Sequence, residues 1–202
     1  MNAMGIRLIG GMILVSLAVV GASRTATGQS ETQASGDSAS AYATKGPGSS
    51  AQYASSELEQ GTWASGGSLG FLGGTPDKTA FALNGNVEYF VADNVSVGPL
   101  VQLGVTDDMA QVGVSAQGKY WIPLAGTNGR GKIALQSGLG FVHSDFLRSD
   151  TSWLVPVGVG YEHTLDSGMS MTATTLVNFT NLHTGFGTGA DVMPGVAFGL
   201  RF

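Results

Sequence analysis

The chain has 202 residues, of which 32 are glycine, 11% are charged and none is cysteine. Ordinary soluble domains carry about 25% charged residues, so this composition argues against a fully hydrated exterior, and the missing cysteines exclude disulfides and thiolate metal sites. The formal net charge is −5 and no segment concentrates Lys or Arg, which argues against a nucleic-acid-binding surface.

The first 28 residues have the features of a secretory signal peptide. Arg7 precedes an apolar run from about Leu8 to Ala22, and small and polar residues follow that run up to Gly28. The run is shorter than the about 20 residues that a membrane-spanning helix needs. We therefore expect residues 1–28 to direct export and to be removed, with an uncleaved anchor helix as the alternative.

Residues 29–60 are rich in Ser, Ala, Gly and Gln and contain few large apolar side chains. Such a segment cannot bury enough apolar surface to offset the conformational entropy that it would lose on ordering. The prediction for this part of the chain is a disordered Ser/Ala/Gly-rich linker.

From Gly61 to Phe202 the chain repeats an alternation of apolar and polar residues. The stretch AQVGVSAQGKYWIP (110–123) is the clearest case. Every second position in it is apolar or small, and the positions in between are occupied by Gln, Gly, Ser, Lys and Trp. A period of two is typical of a strand with two unlike faces. Eight such segments are predicted, each long enough for the about 9–11 residues with which a tilted strand crosses a bilayer.

The chemistry of the two faces indicates the direction in which each one points. One face carries large apolar side chains, and the other carries small polar ones such as Asn84, Gln102, Gln136 and Thr174. Small polar side chains suit a narrow enclosed lumen, so the apolar faces are predicted to point outward to lipid, with a soluble lipocalin-like barrel as the alternative. Aromatic residues at both sets of strand ends favour the membrane barrel, because such barrels carry aromatic girdles at both interfaces. These are Tyr89, Tyr120, Tyr161 and Phe202 at one end and Phe71, Phe81, Phe141 and Trp153 at the other.

The connections between the strands sort to two sides if both ends of the barrel lie in the periplasm. The predicted periplasmic turns are 91–94, 123–131 and 165–168. The predicted outer loops are 73–79, 106–108, 143–151 and 181–191.

The C-terminal stretch PGVAFGLRF ends in alternating apolar residues and a terminal phenylalanine. Together with the strand count and the turn pattern, it makes residues 61–202 resemble the small eight-stranded outer-membrane barrels of the OmpA/OmpX type, in the porin-like superfamily. The resemblance implies an all-β fold: an eight-stranded antiparallel up-and-down transmembrane β-barrel in the bacterial outer membrane. It further implies a monomer in contact with lipid and lipopolysaccharide, with Phe198, Leu200 and Phe202 as the signal read by the outer-membrane assembly machinery.

Five charged residues fall on the predicted inward faces near the periplasmic strand ends. They are Glu88, Lys119, Lys132, Glu162 and Arg201. An unpaired charge in a confined lumen costs several kcal/mol, so opposite charges are expected to pair, for example Lys119 with Glu162. The prediction is a network that fills and closes the lumen, and the alternative is a constriction in a narrow solute path.

The residue pattern gives little support to catalysis. His143, Ser144, Asp145 and His183 are all predicted near the outer rim, where lipid-modifying barrel enzymes carry their catalytic groups. However, neighbouring residues in a strand point to opposite faces, and the His-x-Ser pattern of the lipid A deacylases is absent. The acidic outer loops are expected to be solvated rather than to bind a divalent cation.

These observations predict a non-enzymatic outer-membrane protein without a cofactor or metal, with a structural, envelope-integrity or surface-interaction role. A lipid A-modifying enzyme and a small-solute channel remain as alternatives, because barrels of this type host unrelated activities.

Overall fold

The computed structural model describes residues 59–185 and 187–202. They form a closed barrel of eight antiparallel strands, in which each strand pairs with the next and β1 pairs with β8. The strands are β1 Trp63–Thr75, β2 Lys78–Ala92, β3 Val95–Val105, β4 Ala110–Pro123, β5 Gly131–Asp145, β6 Ser149–Thr164, β7 Ser170–Gly185 and β8 Thr188–Arg201. The predicted eight-stranded antiparallel barrel is therefore confirmed.

Two further sequence predictions fall outside this region. The predicted signal peptide (1–28) and all but the last two residues of the predicted linker (29–60) lie outside the described residues. Among the residues that the structure does describe, no helix is long and apolar enough to cross a membrane.

The alternation seen in the sequence maps directly onto the two faces of the barrel wall. In β4, Val114 is 50% exposed on the outer surface, whereas the neighbouring Ser115 is 2% exposed and points inward. The same phase holds along the other strands, whose large apolar side chains are mostly exposed. Because successive side chains in a strand point to opposite faces, the face of one residue fixes the face of every other residue in that strand. The barrel thus has an apolar exterior and a largely polar interior.

Both described chain ends lie at the same end of the barrel, which we call the terminal end. The connections β2–β3, β4–β5 and β6–β7 lie there too, and the other four connections lie at the far end. Aromatic side chains occur on the outer wall near both ends: the rings of Trp63 and Tyr89 are 5.0 Å apart near the terminal end, and those of Phe71 and Phe81 are 6.2 Å apart near the far end.

Three predicted outer loops are mostly strand, which corrects the loop boundaries. Residues 73–79 were expected to form a loop, but β1 continues to Thr75 and β2 begins at Lys78. Residues 143–151 were expected to form a loop, but β5 continues to Asp145 and β6 begins at Ser149. Likewise, only residues between 185 and 188 connect β7 to β8, instead of the predicted 181–191. At these strand ends the backbone pairing continues past the last residues of the apolar alternation. For instance, Asp145 pairs with Ser149, and Ser149 Oγ donates a 2.9 Å hydrogen bond to Asp145 Oδ1.

The interior also contains an apolar cluster, which we call the apolar plug. Its members are Leu72, Ala82, Val142, Leu154, Leu182, Ala190 and Met193. The expectation of a small and polar lumen was therefore incomplete. Leu154, Leu182 and Met193 are at most 1% exposed, and all lie in the inward phase of their strands, which is the signal that would have identified them.

Candidate functional site: the barrel interior

The first group of interior charges is built around Glu88 on β2. Lys119 Nζ lies 2.5 Å from Glu88 Oε1, and Asn86 Nδ2 donates to the same oxygen. The other carboxylate oxygen accepts a 3.0 Å hydrogen bond from Ser96 Oγ, and Ser96 in turn accepts a 2.9 Å bond from Trp121 Nε1. Both oxygens of this 3% exposed side chain are thus hydrogen-bonded, as a buried carboxylate requires.

The second group is built around Glu162 on β6, which is 1% exposed. Arg201 on β8 binds it with two nitrogens: Nε donates to Oε2 at 2.6 Å, and Nη2 donates to Oε1. Such a two-point contact fixes both distance and orientation. Lys132 Nζ lies 3.8 Å from Glu162 Oε1, so this carboxylate has two cationic neighbours.

Aromatic rings connect the two groups. The Arg201 guanidinium carbon lies 4.9 Å from the centre of a Trp121 ring and 5.9 Å from that of Phe90. In the Glu88 group, Lys119 Nζ lies 5.8 Å from the centre of a Trp121 ring. Cations at these distances are attracted by the ring faces. Sequence reasoning did not single out Phe90, although its inward phase and its position two residues after Glu88 are visible in the sequence.

The structure therefore brings all five predicted charges to the terminal end of the interior, but in a different pairing from the example given above. Lys119 contacts Glu88, and the cations near Glu162 are Arg201 and Lys132. We call these five residues the charge cluster. The choice of partner depends on how the strands are arranged around the barrel, which strand phase alone does not specify.

A cavity of about 70 Å³ lies inside the barrel between the charge cluster and the apolar plug. We call it the polar chamber. Leu72 and Ala82 of the plug line one part of it, and four members of the charge cluster line another. Its uncharged polar lining includes Asn84, Asn86, Gln102, Gln117, Gln136, Thr172 and Thr174.

The candidate catalytic residues of the sequence contact other groups rather than one another in the described part of the chain. His143 is exposed on the outer surface, and its Nδ1 lies 2.8 Å from Thr151 Oγ1, whereas the adjacent Ser144 is fully buried. His183 Nδ1 lies 3.1 Å from a backbone oxygen, and Asp145 accepts a hydrogen bond from Ser149. Within the described part of the chain, none of these contacts joins a serine nucleophile to a histidine base.

The acidic far-end residues do not form a recognisable metal centre. Asp77 Oδ2 accepts a 2.6 Å hydrogen bond from Thr106 Oγ1, and Asp107 and Asp108 are exposed. Over residues 59–185 and 187–202, no group of three or more His, Cys, Asp or Glu side chains is placed to hold a metal ion.

The proposed assembly residues line the outer face at the end of the chain. Phe198, Leu200 and Phe202 are 66%, 40% and 64% exposed, respectively. The backbone of Phe202 also helps to close the barrel, since its amide donates to Ser65 O at 2.8 Å and its carbonyl accepts from Ser65 N at 3.1 Å.

Comparison with solved structures identifies the architecture. The chain is similar to Neisserial surface protein A (NspA), with a TM-score of 0.53 and 12% sequence identity over 69% of this chain and 94% of that one. The N-terminal β-barrel domain of Pseudomonas aeruginosa OprF matches with a TM-score of 0.46 and 14% identity, over 71% and 100% of the two chains. Yersinia pestis Ail, the attachment invasion locus protein, matches with a TM-score of 0.44 and 12% identity, over 71% and 99%.

No protein-family model and no curated protein matches this sequence. At 12% identity, the similarity to NspA shows the fold alone. The closed eight-stranded barrel therefore has the architecture of the small outer-membrane barrels, as the sequence resemblance predicted.

Proposed function

We propose that this protein is a monomeric integral outer-membrane barrel with a closed lumen. In this proposal it has a non-catalytic role in envelope structure or surface interaction. The terminal end faces the periplasm and the far end faces outward. The outer wall contacts lipid and lipopolysaccharide, and the outer-membrane assembly machinery reads Phe198, Leu200 and Phe202.

The observation that carries this proposal is the filling of the interior. The charge cluster and its aromatic neighbours occupy the terminal end of the lumen, and the apolar plug occupies a second part of it. Eight strands leave room for little more than side chains. An interior filled in this way supports a sealed barrel over a small-solute channel.

The exterior supports a membrane location. Large apolar side chains such as Leu139, Phe141 and Phe198, exposed by 66–71%, would be costly in water but stable against lipid. A soluble barrel would place these apolar side chains inside. In this barrel the strand phase places them on the outer wall.

Fractionation and planar-bilayer recording test the proposal together. We expect the protein in the outer-membrane fraction, extractable only with detergent, with a heat-dependent mobility on gels and no steady conductance in a bilayer. Recovery as a soluble periplasmic protein would refute the location, and a steady wild-type conductance would refute the closed lumen.

Mass spectrometry of lipid A tests the non-catalytic role. Lipid A from cells with and without the protein is expected to be identical. A change in lipid A mass that His143→Ala or His183→Ala abolishes would establish a lipid-modifying enzyme instead.

A further inference from the structure

The charge cluster contains more positive than negative charge. Its members are three cations and two carboxylates, so one positive charge is in excess at the terminal end of the interior. Glu88 is balanced by Lys119. Glu162 is shared between Arg201 and Lys132. An excess charge in a poorly solvated interior is unfavourable unless a counter-charge lies close to it, so the cluster favours a further negative group nearby.

The inward-phase carboxylate at the far end is too distant to supply this negative charge. Asp150 lies in the inward phase of β6, twelve residues from Glu162 on the same strand, which corresponds to about 40 Å along the chain. Its Oδ2 also accepts a 2.7 Å hydrogen bond from His183 N. A counter-charge for the cluster is therefore sought in a ligand.

One wall of the polar chamber offers hydrogen-bond donors beside the charge cluster. Gln117 and Lys119 line the chamber from β4, and Gln136, the register partner of Lys119 on β5, lines it too. Gln117 is 6% exposed, and its Nε2 is buried without a hydrogen-bond partner in the described part of the chain. The ammonium group of Lys119 has three N–H donors, of which Glu88 Oε1 accepts one. A buried donor without an acceptor is unfavourable, so this wall suits a ligand that accepts hydrogen bonds.

Two further amides of the chamber can also present donors. Asn84 Oδ1 and Gln102 Oε1 are buried and lack a partner among the described residues, but half a turn about the last side-chain bond exchanges the oxygen and the nitrogen of an amide. For Asn84 this rotation preserves the contact with Ser68 Oγ, which now accepts from Nδ2 at 3.2 Å, because a hydroxyl both donates and accepts. The lining can therefore adapt to a ligand that only accepts hydrogen bonds, as a simple anion does.

The size of the chamber selects among negative ligands. It has about 70 Å³, whereas one water molecule needs roughly 10–15 Å³, so a monatomic anion fits and a large organic anion does not. A cation would add to the positive charge already in excess. One excess charge calls for a ligand with a single negative charge.

We propose that the polar chamber is a binding site for a small monovalent anion such as chloride. The anion balances the excess positive charge of the charge cluster and accepts hydrogen bonds from Gln117 Nε2 and Lys119 Nζ. This site goes beyond the proposed function, because it requires neither a membrane location nor a closed lumen.

The dependence of folding on chloride tests the site. The full-length wild type is unfolded with urea in lipid vesicles while sodium chloride is replaced by sodium gluconate, an anion much larger than the chamber, at constant ionic strength. A ligand that binds only the folded state stabilises it by mass action, so each tenfold rise in chloride above its dissociation constant should multiply the folding equilibrium constant about tenfold. A folding equilibrium that is the same in both salts would overturn the proposal.

Matched variants separate the chamber from the surface of the protein. Lys132→Met removes the excess charge and should abolish the chloride dependence. Gln117→Leu removes a donor and should weaken chloride binding about tenfold, which provides a second test if Lys132→Met does not fold. Arg130→Gln removes an exposed cation at the same end of the barrel and should keep the wild-type dependence. A chloride dependence that Lys132→Met and Gln117→Leu leave intact would refute the chamber as the site.

Bromide locates the anion directly, because it resembles chloride and scatters X-rays anomalously. In crystals of the full-length protein grown with bromide, we expect an anomalous peak in the polar chamber within hydrogen-bonding distance of Gln117 Nε2 and Lys119 Nζ. Bromide on the outer surface alone, with water in the chamber, would overturn the proposal.

Discussion

Replacing Glu162 with alanine removes the carboxylate that two buried cations share. Arg201 loses its two-point contact and Lys132 loses a neighbour at 3.8 Å, while Glu162 itself is only 1% exposed. Removing one partner of a buried pair costs about 3–5 kcal/mol, because the other charge is left in a poorly solvated place. The ring faces of Phe90 and Trp121 still stabilise Arg201, which lowers this cost. We therefore expect a loss of about 2–4 kcal/mol in the free energy of unfolding.

Urea unfolding of the barrel in lipid vesicles, followed by tryptophan fluorescence, measures this loss. The matched control is Asp166→Ala, which removes the salt bridge to Arg130 at the same end of the barrel. Asp166 is 83% exposed, and exposed pairs contribute about 0–1 kcal/mol, so the control should remain close to the wild type. Equal unfolding free energies for the two variants would refute the claim that burial makes the Glu162 contacts important.

Three further predictions concern other parts of the wall and the lumen. Exchanging charges in Glu88→Lys with Lys119→Glu should recover part of the stability that either single change loses, as measured by urea unfolding, because these two residues are direct partners. Gly98→Ala should destabilise the barrel by about 1–3 kcal/mol, because a Cβ atom at this position would lie 1.8 Å from a backbone oxygen. The control Gly118→Ala should be tolerated in the same urea assay, because a Cβ atom there would have nothing within 4 Å. Phe202→Ser should lower the amount of protein in the outer membrane without changing its export, and unchanged insertion would show that the terminal residue is not part of the assembly signal.

Strand phase was predictable from the sequence because it depends on local alternation alone. Once Val114 is assigned to the outer face, Ser115 must point inward, and the structure agrees with this. The inward direction of the five interior charges follows from the same rule. Periodicity is the strongest signal that a barrel strand offers, since every residue in it touches either the exterior or the lumen.

Strand ends and partners were less predictable because they depend on contacts between distant segments. Beyond Phe141 the outward residues of β5 are His143 and Asp145, so the apolar signal stops while the backbone pairing continues. The choice of Glu88 rather than Glu162 for Lys119 depends on the order and stagger of the strands around the closed barrel.

Trp121 shows why the charge cluster acts as one unit despite its two carboxylates. Its indole N–H donates to Ser96, which holds Glu88, and one face of its ring system lies 4.9 Å from the guanidinium that binds Glu162. A change in either charge group is therefore expected to alter the position or the electrostatic surroundings of Trp121, which the other group also contacts. Residues that share a partner in this way are not energetically independent. The single network expected from the sequence thus corresponds in the structure to two charge groups coupled through one aromatic residue.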